Sequence, residues 1–445
     1  MRSQPVSIVG AGLAGPLLAI LLARRGFEVT LYERRPDPRQ RAPQAGRSIN
    51  LALAARGMRA LERAGILERV RPLMLPMRGR MVHESDREPT LLPYGQRAAE
   101  LIYSVGRGAL NRLLVEEAAR HAAVSLRFEH TCLGVRGPQH ALEVVDAAGR
   151  HVETSSGPVI ASDGAGSAVR LALAGCALMT WREAPLDHDY KELYLPPRDG
   201  DFALAPQALH VWPRHGFMLI ALPNTDRSFT ATLFLARSGA PSFAALDTRA
   251  AVERFFAEQF PDAAALLPDV AAQFAAHPQG RLGTVQCAPW HVGGEFLLLG
   301  DAAHAIVPFH GQGMNAAFED CLLLDELSER HTRWAELFAA FEQQRRPDTQ
   351  AIARMAIENY AEMRAGVLEA RFLRQQLWAR ELERLYPGRF VPRYAMVMFH
   401  PEIPYAEAER RGAVQQQILD ALDARSGGAQ GFDQALARQL IEQRL

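Results

Sequence analysis

Asp301 is the residue whose type and position most clearly indicate a binding function. Four apolar residues at 296–299 predict a buried strand, and Asp301 follows that strand after a single glycine. At the end of that strand its carboxylate can accept hydrogen bonds from the hydroxyls of a sugar-like chain. Gly311 and Gly313 then predict a tight loop before a helix that starts near Met314. Because free backbone N–H groups at a helix N-terminus favour negative charge, the segment predicts an anion-binding site. An ordinary strand–turn–helix is the alternative at this point.

A glycine-rich turn near the N-terminus gives the second chemical signal. Val6 to Val9 predicts a short strand, and Gly10, Gly12 and Gly15 follow it at the start of an apolar helix. A second predicted strand ends at Glu33, at the distance where an acidic residue binds ribose hydroxyls. The glycines let a pyrophosphate approach the backbone, and the helix N-terminus stabilises its charge. With strand, helix and acid all in place, the sequence predicts dinucleotide binding.

The two motifs together favour FAD as the bound dinucleotide. An N-terminal fingerprint binds ADP in nicotinamide and flavin enzymes alike, but a second glycine-rich element with an aspartate suits a ribityl chain. In this combination the sequence resembles the single-component aromatic-ring hydroxylases, a family of flavoprotein monooxygenases. Their second motif reads Gly-Asp-Ala-Ala-His, as at 300–304, with a later proline and Gly-Gln-Gly, as at Pro308 and 311–313. An intermediate motif of that family matches 158–164 together with Arg170.

Length, charge and cysteine usage agree with such a class. The chain has 445 residues, enough for two or three domains with large cores. Lysine plus arginine and aspartate plus glutamate number 50 each, so we expect no nucleic-acid partner. Cys132, Cys176, Cys287 and Cys321 show no metal spacing and no disulfide pattern, which favours the cytoplasm. The first strand begins by Val6 and no apolar run approaches roughly 18–20 residues, so we expect neither a signal peptide nor a membrane span.

The hydrophobic periodicity changes along the chain and predicts the domain organisation. We expect an α/β fold with an FAD-binding Rossmann-like domain, an antiparallel-sheet substrate domain and a C-terminal helical region. The FAD-binding domain would cover residues 1–175 and return over 286–335, with the substrate domain at 176–285 and the helical region at 336–445. Residues 426–431 predict a flexible link to a last short helix.

Several stretches resemble, within that family, the members that hydroxylate kynurenine. These stretches are 46–53, 77–81, 93–95, 190–193, 218–224, 307–309 and 359–364. The resemblance implies that L-kynurenine is converted to 3-hydroxy-L-kynurenine in tryptophan degradation. FAD would be reduced by NADPH and would then use O₂ to hydroxylate the ring carbon next to the amine. No second nucleotide-binding fold is visible, so the sequence does not locate the NADPH site.

The resemblance also implies how the amino-acid end of such a substrate would bind. Arg80 matches the family's carboxylate-binding arginine, and a planar guanidinium offers the two-point donor that a carboxylate requires. Tyr94, Asn359 and Tyr405 match its polar partners. Met363, which we also expect at the substrate site, shares a predicted helical face with Asn359. A buried amide there needs a hydrogen-bond partner, which a protein group or a ligand could supply.

An apolar slot would hold the aromatic ring. Alternation along a strand places Met218, Ile220 and Leu222 on one face, which could equally be ordinary core. The family adds further residues around the ring, which are Leu209, Phe234, Pro308 and Phe309. His310 would contact the ligand or the flavin, but we assign no side chain as an essential catalytic base, because an aniline ring is already electron-rich.

The flavin contacts follow from the same motifs. The ADP part would bind at Gly10, Gly12, Gly15 and Glu33. The resemblance assigns the rest of the cofactor to Ala52, Arg107, Cys132, Asp163, Asp301, Gly313, Met314 and Asn315. The helix that starts near Met314 would stabilise the anionic reduced flavin.

Two alternatives stay open from the sequence. One is a related flavin hydroxylase that acts on another aromatic acid, such as a phenol, which would ordinarily need a group to deprotonate it. The other is a flavin-binding redox protein without hydroxylase activity. A homodimer is compatible with the sequence, which does not fix the oligomeric state.

Overall fold

The computed structural model describes residues 4–40, 50–85, 87–136, 141–152, 154, 157–364, 369–426 and 431–445. Residues 46–49 of one family-like stretch and 427–430 of the expected link lie outside this range. The chain forms two compact units. The first unit comprises Met1–Met74, Val105–Leu186 and Leu282–Gln350, and the second comprises Leu75–Ser104, Asp187–Arg281 and Ala351–Leu445. The domain boundaries at 175, 285 and 335 stay predictions of the sequence.

The strands and helices are as follows. The strands are β1 (Val6–Val9), β2 (Val29–Glu33), β3 (Asn50–Leu53), β4 (Met74–Met77), β5 (Gly79–Val82), β6 (Thr90–Pro93), β7 (Ile102–Gly106), β8 (Val124–Phe128), β9 (Thr131–Arg136), β10 (Ala141–Val145), β11 (His151–Val152), β12 (Val159–Ala161), β13 (Thr180–Leu195), β14 (Ala208–Pro213), β15 (Met218–Pro223), β16 (Phe229–Ala236), β17 (Gln279–Ala288), β18 (His291–Val292) and β19 (Phe296–Leu298). The helices are α1 (Ala14–Arg24), α2 (Ala55–Arg63), α3 (Leu67–Val70), α4 (Arg107–Ala118), α5 (Ala168–Gly175), α6 (Arg249–Gln259), α7 (Pro261–Ala264), α8 (Val270–Ala276), α9 (Asp301–His304), α10 (Gly313–Ser328), α11 (Trp334–Arg364), α12 (Ala370–Leu385), α13 (Arg393–Phe399), α14 (Tyr405–Ser426) and α15 (Gln434–Arg444).

The first unit is built on a sheet with the strand order β18-β19-β12-β1-β2-β8. Strand β1 pairs in parallel with β2 and β12, and β12 pairs in parallel with β19. The residues of β1, β12 and β19 are all buried, as expected for a parallel sheet covered on both faces. Because the carboxyl ends of parallel strands meet at one edge, the three predicted flavin motifs follow neighbouring strands at that edge. The expected α/β flavin fold is therefore confirmed.

The second unit is built on a sheet with the order β17-β13-β16-β15-β14-β5-β6. The predicted antiparallel meander is present in β13 to β16. Strand β5 extends it by pairing in parallel with β14, and β6 pairs antiparallel with β5. One face packs against α6, α7 and α8 in a core that includes Trp212, Leu219, Leu233 and Phe256. Helices α6 to α8 do not cover the opposite face of this sheet.

The C-terminal part is helical, as predicted. Helices α12, α14 and α15 enclose a small core that includes Trp378, Leu382, Ile418 and Leu440. Across the part of the chain that the structure describes, no helix combines the length and apolarity needed to cross a membrane.

Candidate active site

The glycine turn after β1 has the geometry of a phosphate-binding loop. Gly10 has a φ of +99°, and a Cβ there would lie 2.6 Å from the Ser162 carbonyl oxygen. A Cβ at Gly15 would lie 2.0 Å from the Gly10 oxygen, so packing requires glycine at both positions. At Gly12 a Cβ would meet no atom within 4 Å, and a ligand can approach the backbone. Asn111 of α4, which sequence reasoning missed, donates to the Ala11 and Gly12 carbonyls at 2.8 and 2.5 Å.

Glu33, at the end of β2, contacts this loop and is the residue predicted to bind the ribose hydroxyls. Its carboxylate accepts hydrogen bonds from the Ala11 N–H at 2.8 Å and from the Arg35 N–H and Nε at 2.9 and 2.8 Å. Burial opposes ionisation, but the hydrogen bonds from Arg35 and Ala11 outweigh it and lower the pKa of Glu33. Glu33 is therefore an ionised acceptor at the end of β2.

Asp163 and Arg170 belong to the intermediate motif, and Arg170 connects it to the second motif at 300–304. One oxygen of Asp163 accepts from the Ala168 N–H at 2.8 Å, while its buried Oδ1 has no hydrogen-bond partner among the described residues. Burial raises the pKa of the Asp163 carboxyl, and it also raises the pKa of the nearby Cys132 thiol to about 12. Arg170 donates to the Ala302 carbonyl at 2.8 Å. The predicted motif residues thus lie in one connected region.

Asp301 opens α9, directly after the buried strand that the sequence predicted. Its side chain is accessible to solvent, although surrounding protein atoms raise the pKa of its carboxyl by desolvation. The field of Arg107, at the first residue of α4, acts in the opposite direction on that pKa, so Arg107 and Asp301 are neighbours. Gly313 begins α10, and Met314 is buried in its first turn.

Asn315 joins α10 to the strand that carries Ala52. Its side-chain amide donates to the Ala52 and Gly311 carbonyls at 2.8 and 2.9 Å, and its Oδ1 accepts from the Ala54 N–H at 2.9 Å. Protein groups thus occupy the Asn315 amide on both sides. Its visible function is to hold Ala52 and the loop at Gly311 in place.

A buried network of charged side chains stabilises the second motif, residues 300–304. The sequence did not predict this network. Asp320 of α10 accepts hydrogen bonds from the Gly300 N–H at 3.0 Å and from Arg345 Nε at 2.6 Å. His304 Nε2 lies 2.7 Å from Asp320 Oδ2. Burial opposes ionisation, but His304 and Arg345 lower the pKa of Asp320 to about 2. Arg345 also donates to Glu319 at 3.0 Å. The network fixes the Gly300 turn against α10.

A second cluster lies in the second unit and surrounds Arg80, which is 9% exposed. Arg80 donates to Glu362 at 3.4 Å and to Asn359 at 3.5 Å, both long for hydrogen bonds. Its Nε has no hydrogen-bond partner in the part of the chain that the structure describes. Asn359 itself donates to the Met363 sulfur at 3.5 Å. Arg80 is thus a buried cation with long contacts to Glu362 and Asn359, and its guanidinium also hydrogen-bonds to the Tyr94 and Tyr394 side chains.

Two tyrosines complete this cluster. The Arg80 guanidinium lies 6.0 Å from the Tyr94 ring centroid and 5.0 Å from that of Tyr394, and the two rings stack at 5.6 Å. Burial raises the pKa of both phenols, so they are neutral and can donate a hydrogen bond. Tyr394 is a member of this cluster that the sequence did not predict. Tyr405 is fully buried at the start of α14, and its role in substrate binding stays a prediction.

The apolar residues predicted for the ring slot share the sheet face that carries Arg80. Leu209 is the cross-strand partner of Arg80, and Met218 is the partner of Phe234. Ile220 and Leu222 alternate with Met218 on the same face. This is the face that α6 to α8 leave free.

Three further predicted residues form a short 3₁₀ turn in the first unit. Pro308 is exposed there, while Phe309 and His310 are buried. Their roles toward a substrate stay predictions.

Comparison with known proteins first gives the class. The model of the FAD binding domain family matches residues 3–356. Among solved structures, 2-methyl-3-hydroxypyridine-5-carboxylic acid oxygenase superposes with a TM-score of 0.65 at 18% identity, over 82% of this chain and 94% of that one. P. aeruginosa PqsL, solved in complex with 2-aminobenzoylacetate, superposes with a TM-score of 0.63 at 25% identity, over 82% of this chain and 99% of that one. The fold is that of an FAD-dependent monooxygenase.

Curated relatives narrow the class. Kynurenine 3-monooxygenase of Stenotrophomonas maltophilia is 46% identical over 451 residues, covering 100% of this chain and 97% of the relative. Kynurenine 3-monooxygenase of Myxococcus xanthus is 44% identical over 446 residues, covering 100% and 96%. The chain therefore belongs to the kynurenine 3-monooxygenase family of FAD-dependent enzymes.

The residues of the first unit fit FAD on structural grounds. The open space beside Gly12 admits a pyrophosphate, and the ionised Glu33 can accept ribose hydroxyls. Asp163 Oδ1, which has no partner within the described part of the chain, and the accessible carboxylate of Asp301 are acceptors available to a ligand. The first unit would therefore hold FAD, as the sequence predicted.

Proposed function

We propose that this protein hydroxylates L-kynurenine to 3-hydroxy-L-kynurenine, with NADPH and O₂ as co-substrates. NADPH, a proton and O₂ are consumed for each substrate, and NADP⁺, water and the hydroxylated product are released. The observation that carries the proposal is the Arg80 cluster, a buried cation at 3.4 Å from its carboxylate partner, on the same sheet face as an apolar strip. The names of the relatives support this choice of substrate.

The amino-acid end of the substrate would bind at the Arg80 cluster. A buried guanidinium gains more from a carboxylate than an exposed one does, because the site has already lost its water. Tyr94 and Tyr394 are neutral phenols that can donate further hydrogen bonds to the same carboxylate. A phenolic substrate without an amino-acid group would leave this cation, among the described residues, with only its long ion-pair contact to Glu362.

The ring would lie along the apolar strip of Leu209, Met218, Ile220, Leu222 and Phe234. Helix α11 covers part of that face, since the Tyr360 ring lies edge-on to His188 at 5.4 Å. Apolar walls keep water from the reacting carbon. The 2-aminobenzoylacetate bound by PqsL contains the same 2-aminobenzoyl group as kynurenine, which supports an aniline-type ring in this fold.

FAD, when bound and reduced, supplies the chemistry that activates O₂ and transfers one oxygen atom. The chain holds the cofactor through Glu33, Asp163 and Asp301, and the N-terminus of α10 favours negative charge nearby. The substrate's own amine activates the ring, so we assign no protein base to the reaction. NADPH binding, a homodimer and a cytoplasmic location stay predictions.

One assay tests the proposal. Purified FAD-loaded protein should oxidise NADPH much faster with L-kynurenine than without it, and the product should be 3-hydroxykynurenine by chromatography and mass spectrometry. Hydroxylation para to the amine would contradict the proposed binding mode. NADPH oxidation that is indifferent to L-kynurenine would favour the open alternative of a redox protein without hydroxylase activity.

A further inference from the structure

Glu362 is a member of the Arg80 cluster with no role in the proposed binding of the substrate carboxylate. It lies on α11, one helical turn after Asn359, and its side chain is 27% exposed. Its carboxylate pairs with Arg80 at 3.4 Å. A carboxylate beside the cation that is meant to bind another carboxylate would compete with the substrate. A site selected only for carboxylates would gain from a neutral residue here.

The competition disappears if the ligand is an amino acid. An α-amino acid carries its carboxylate and its ammonium on the same carbon atom, so a site for it needs a cation and an anion side by side. Arg80 and Glu362 provide that pair. When the substrate carboxylate bonds to Arg80, its ammonium restores a positive partner for Glu362, and four charges alternate in sign.

We propose that the Glu362 carboxylate accepts hydrogen bonds from the α-ammonium group of the substrate and so restricts the site to α-amino acids. This inference rests on the proposed function. The other groups around Arg80 are weaker candidates, because Tyr94 and Tyr394 are neutral phenols with raised pKa values. Asn359 already accepts from Arg80 and donates to Met363. Among the described residues, Glu362 is the carboxylate paired with Arg80.

The test compares two ligands in two proteins. L-kynurenine carries both charges, whereas 4-(2-aminophenyl)-4-oxobutanoate keeps the ring and the carboxylate but lacks the amine. Wild-type protein should bind L-kynurenine more tightly. Glu362→Gln should weaken L-kynurenine binding about 10- to 150-fold. It should bind the deaminated analogue as well as wild type or better, since Glu362 no longer competes for Arg80. Dissociation constants follow from the change in flavin absorbance during titration of FAD-loaded protein.

Glu358→Gln is the matched control. Glu358 lies on the same helix but pairs with Arg393 at 2.6 Å, so the same substitution there removes a charge without touching the Arg80 cluster. It should leave the preference for L-kynurenine unchanged. If Glu362→Gln keeps that preference as well, the inference is wrong.

The affinities of the wild-type protein for the two ligands provide a second test of the inference. If it binds the deaminated analogue as tightly as L-kynurenine, no group recognises the ammonium, and the inference fails even if Glu362→Gln does not fold. Should Glu362→Gln be insoluble, Glu362→Asp keeps the charge and should retain a preference for L-kynurenine, whereas loss of the preference would contradict the role. Absence of hydroxylation by wild type would instead refute the proposed function, so the two failures are distinguishable.

Discussion

Two buried arginines, one in each unit, differ in how well their donors are used. Arg345 in the first unit is 4% exposed, and it donates to Asp320 at 2.6 Å and to the Ala316 carbonyl at 3.0 Å. Arg80 in the second unit is 9% exposed, yet its contacts with Glu362 and Asn359 are 3.4 and 3.5 Å long.

The difference separates a supporting residue from a binding residue. Burying a charge costs several kcal/mol unless close partners compensate, so a well-paired arginine such as Arg345 stabilises the fold around it. A buried arginine whose contacts are long, and whose Nε finds no partner among the residues that the structure describes, leaves part of that cost for a ligand to offset. We therefore expect Arg345 to matter for stability and Arg80 to matter for affinity.

The same substitution at both positions tests this directly and should give the largest effect. Arg345→Met leaves Asp320 fully buried with only part of its partners, and should lower the free energy of unfolding by about 3–5 kcal/mol. Arg80→Met should lower it by less than about 1 kcal/mol, because Glu362 is partly exposed and water can solvate it. Urea unfolding at a fixed FAD concentration measures both. Equal losses would erase the distinction between the two arginines.

The converse experiment concerns ligand affinity. Arg80→Met removes a charge-assisted contact worth about 1.5–3 kcal/mol, which corresponds to roughly a 10- to 150-fold weaker binding of L-kynurenine. FAD content should hardly change, because Arg80 lies outside the three flavin motifs. A kynurenine analogue without the carboxylate should bind wild type and Arg80→Met almost equally. Unchanged binding of L-kynurenine would make Arg80 an ordinary structural residue.

Asp301→Ala should produce the opposite pattern to Arg80→Met. It removes a charged acceptor for the ribityl hydroxyls, so FAD should bind about 10- to 150-fold more weakly. Its side chain is accessible to solvent and forms no ion pair within the described ranges of the chain, so stability without FAD should change little. Fluorescence titration of the FAD-free protein measures the affinity. Unchanged FAD binding would overturn the assignment of the second motif.

The sequence predicted what local patterns encode and missed what distant packing creates. The glycine turn after β1 and the strand before Asp301 are visible as short apolar runs with flanking glycines, and the structure has both. The pairing of β5 with β14 joins segments that are far apart in the chain, so local hydrophobic periodicity cannot predict it. The bond between Asp320 and Arg345 likewise needs α10 and α11 to pack together.

The smallest expected effect distinguishes two tyrosines, one found by sequence and one by structure. Tyr405 was assigned to the substrate by resemblance, whereas Tyr394 stacks on Tyr94 and lies 5.0 Å from the Arg80 guanidinium. A neutral hydrogen bond contributes about 0.5–1.5 kcal/mol, so Tyr394→Phe should weaken L-kynurenine binding roughly 2- to 12-fold. The ring and its stacking remain, so FAD content and stability should stay close to wild type. Tyr405→Phe is the matched substitution and should leave the dissociation constant unchanged if Tyr394 is the partner. The reverse result, with Tyr405→Phe weakened and Tyr394→Phe unaffected, would return the role to Tyr405 and show that proximity to Arg80 does not mark the carboxylate site.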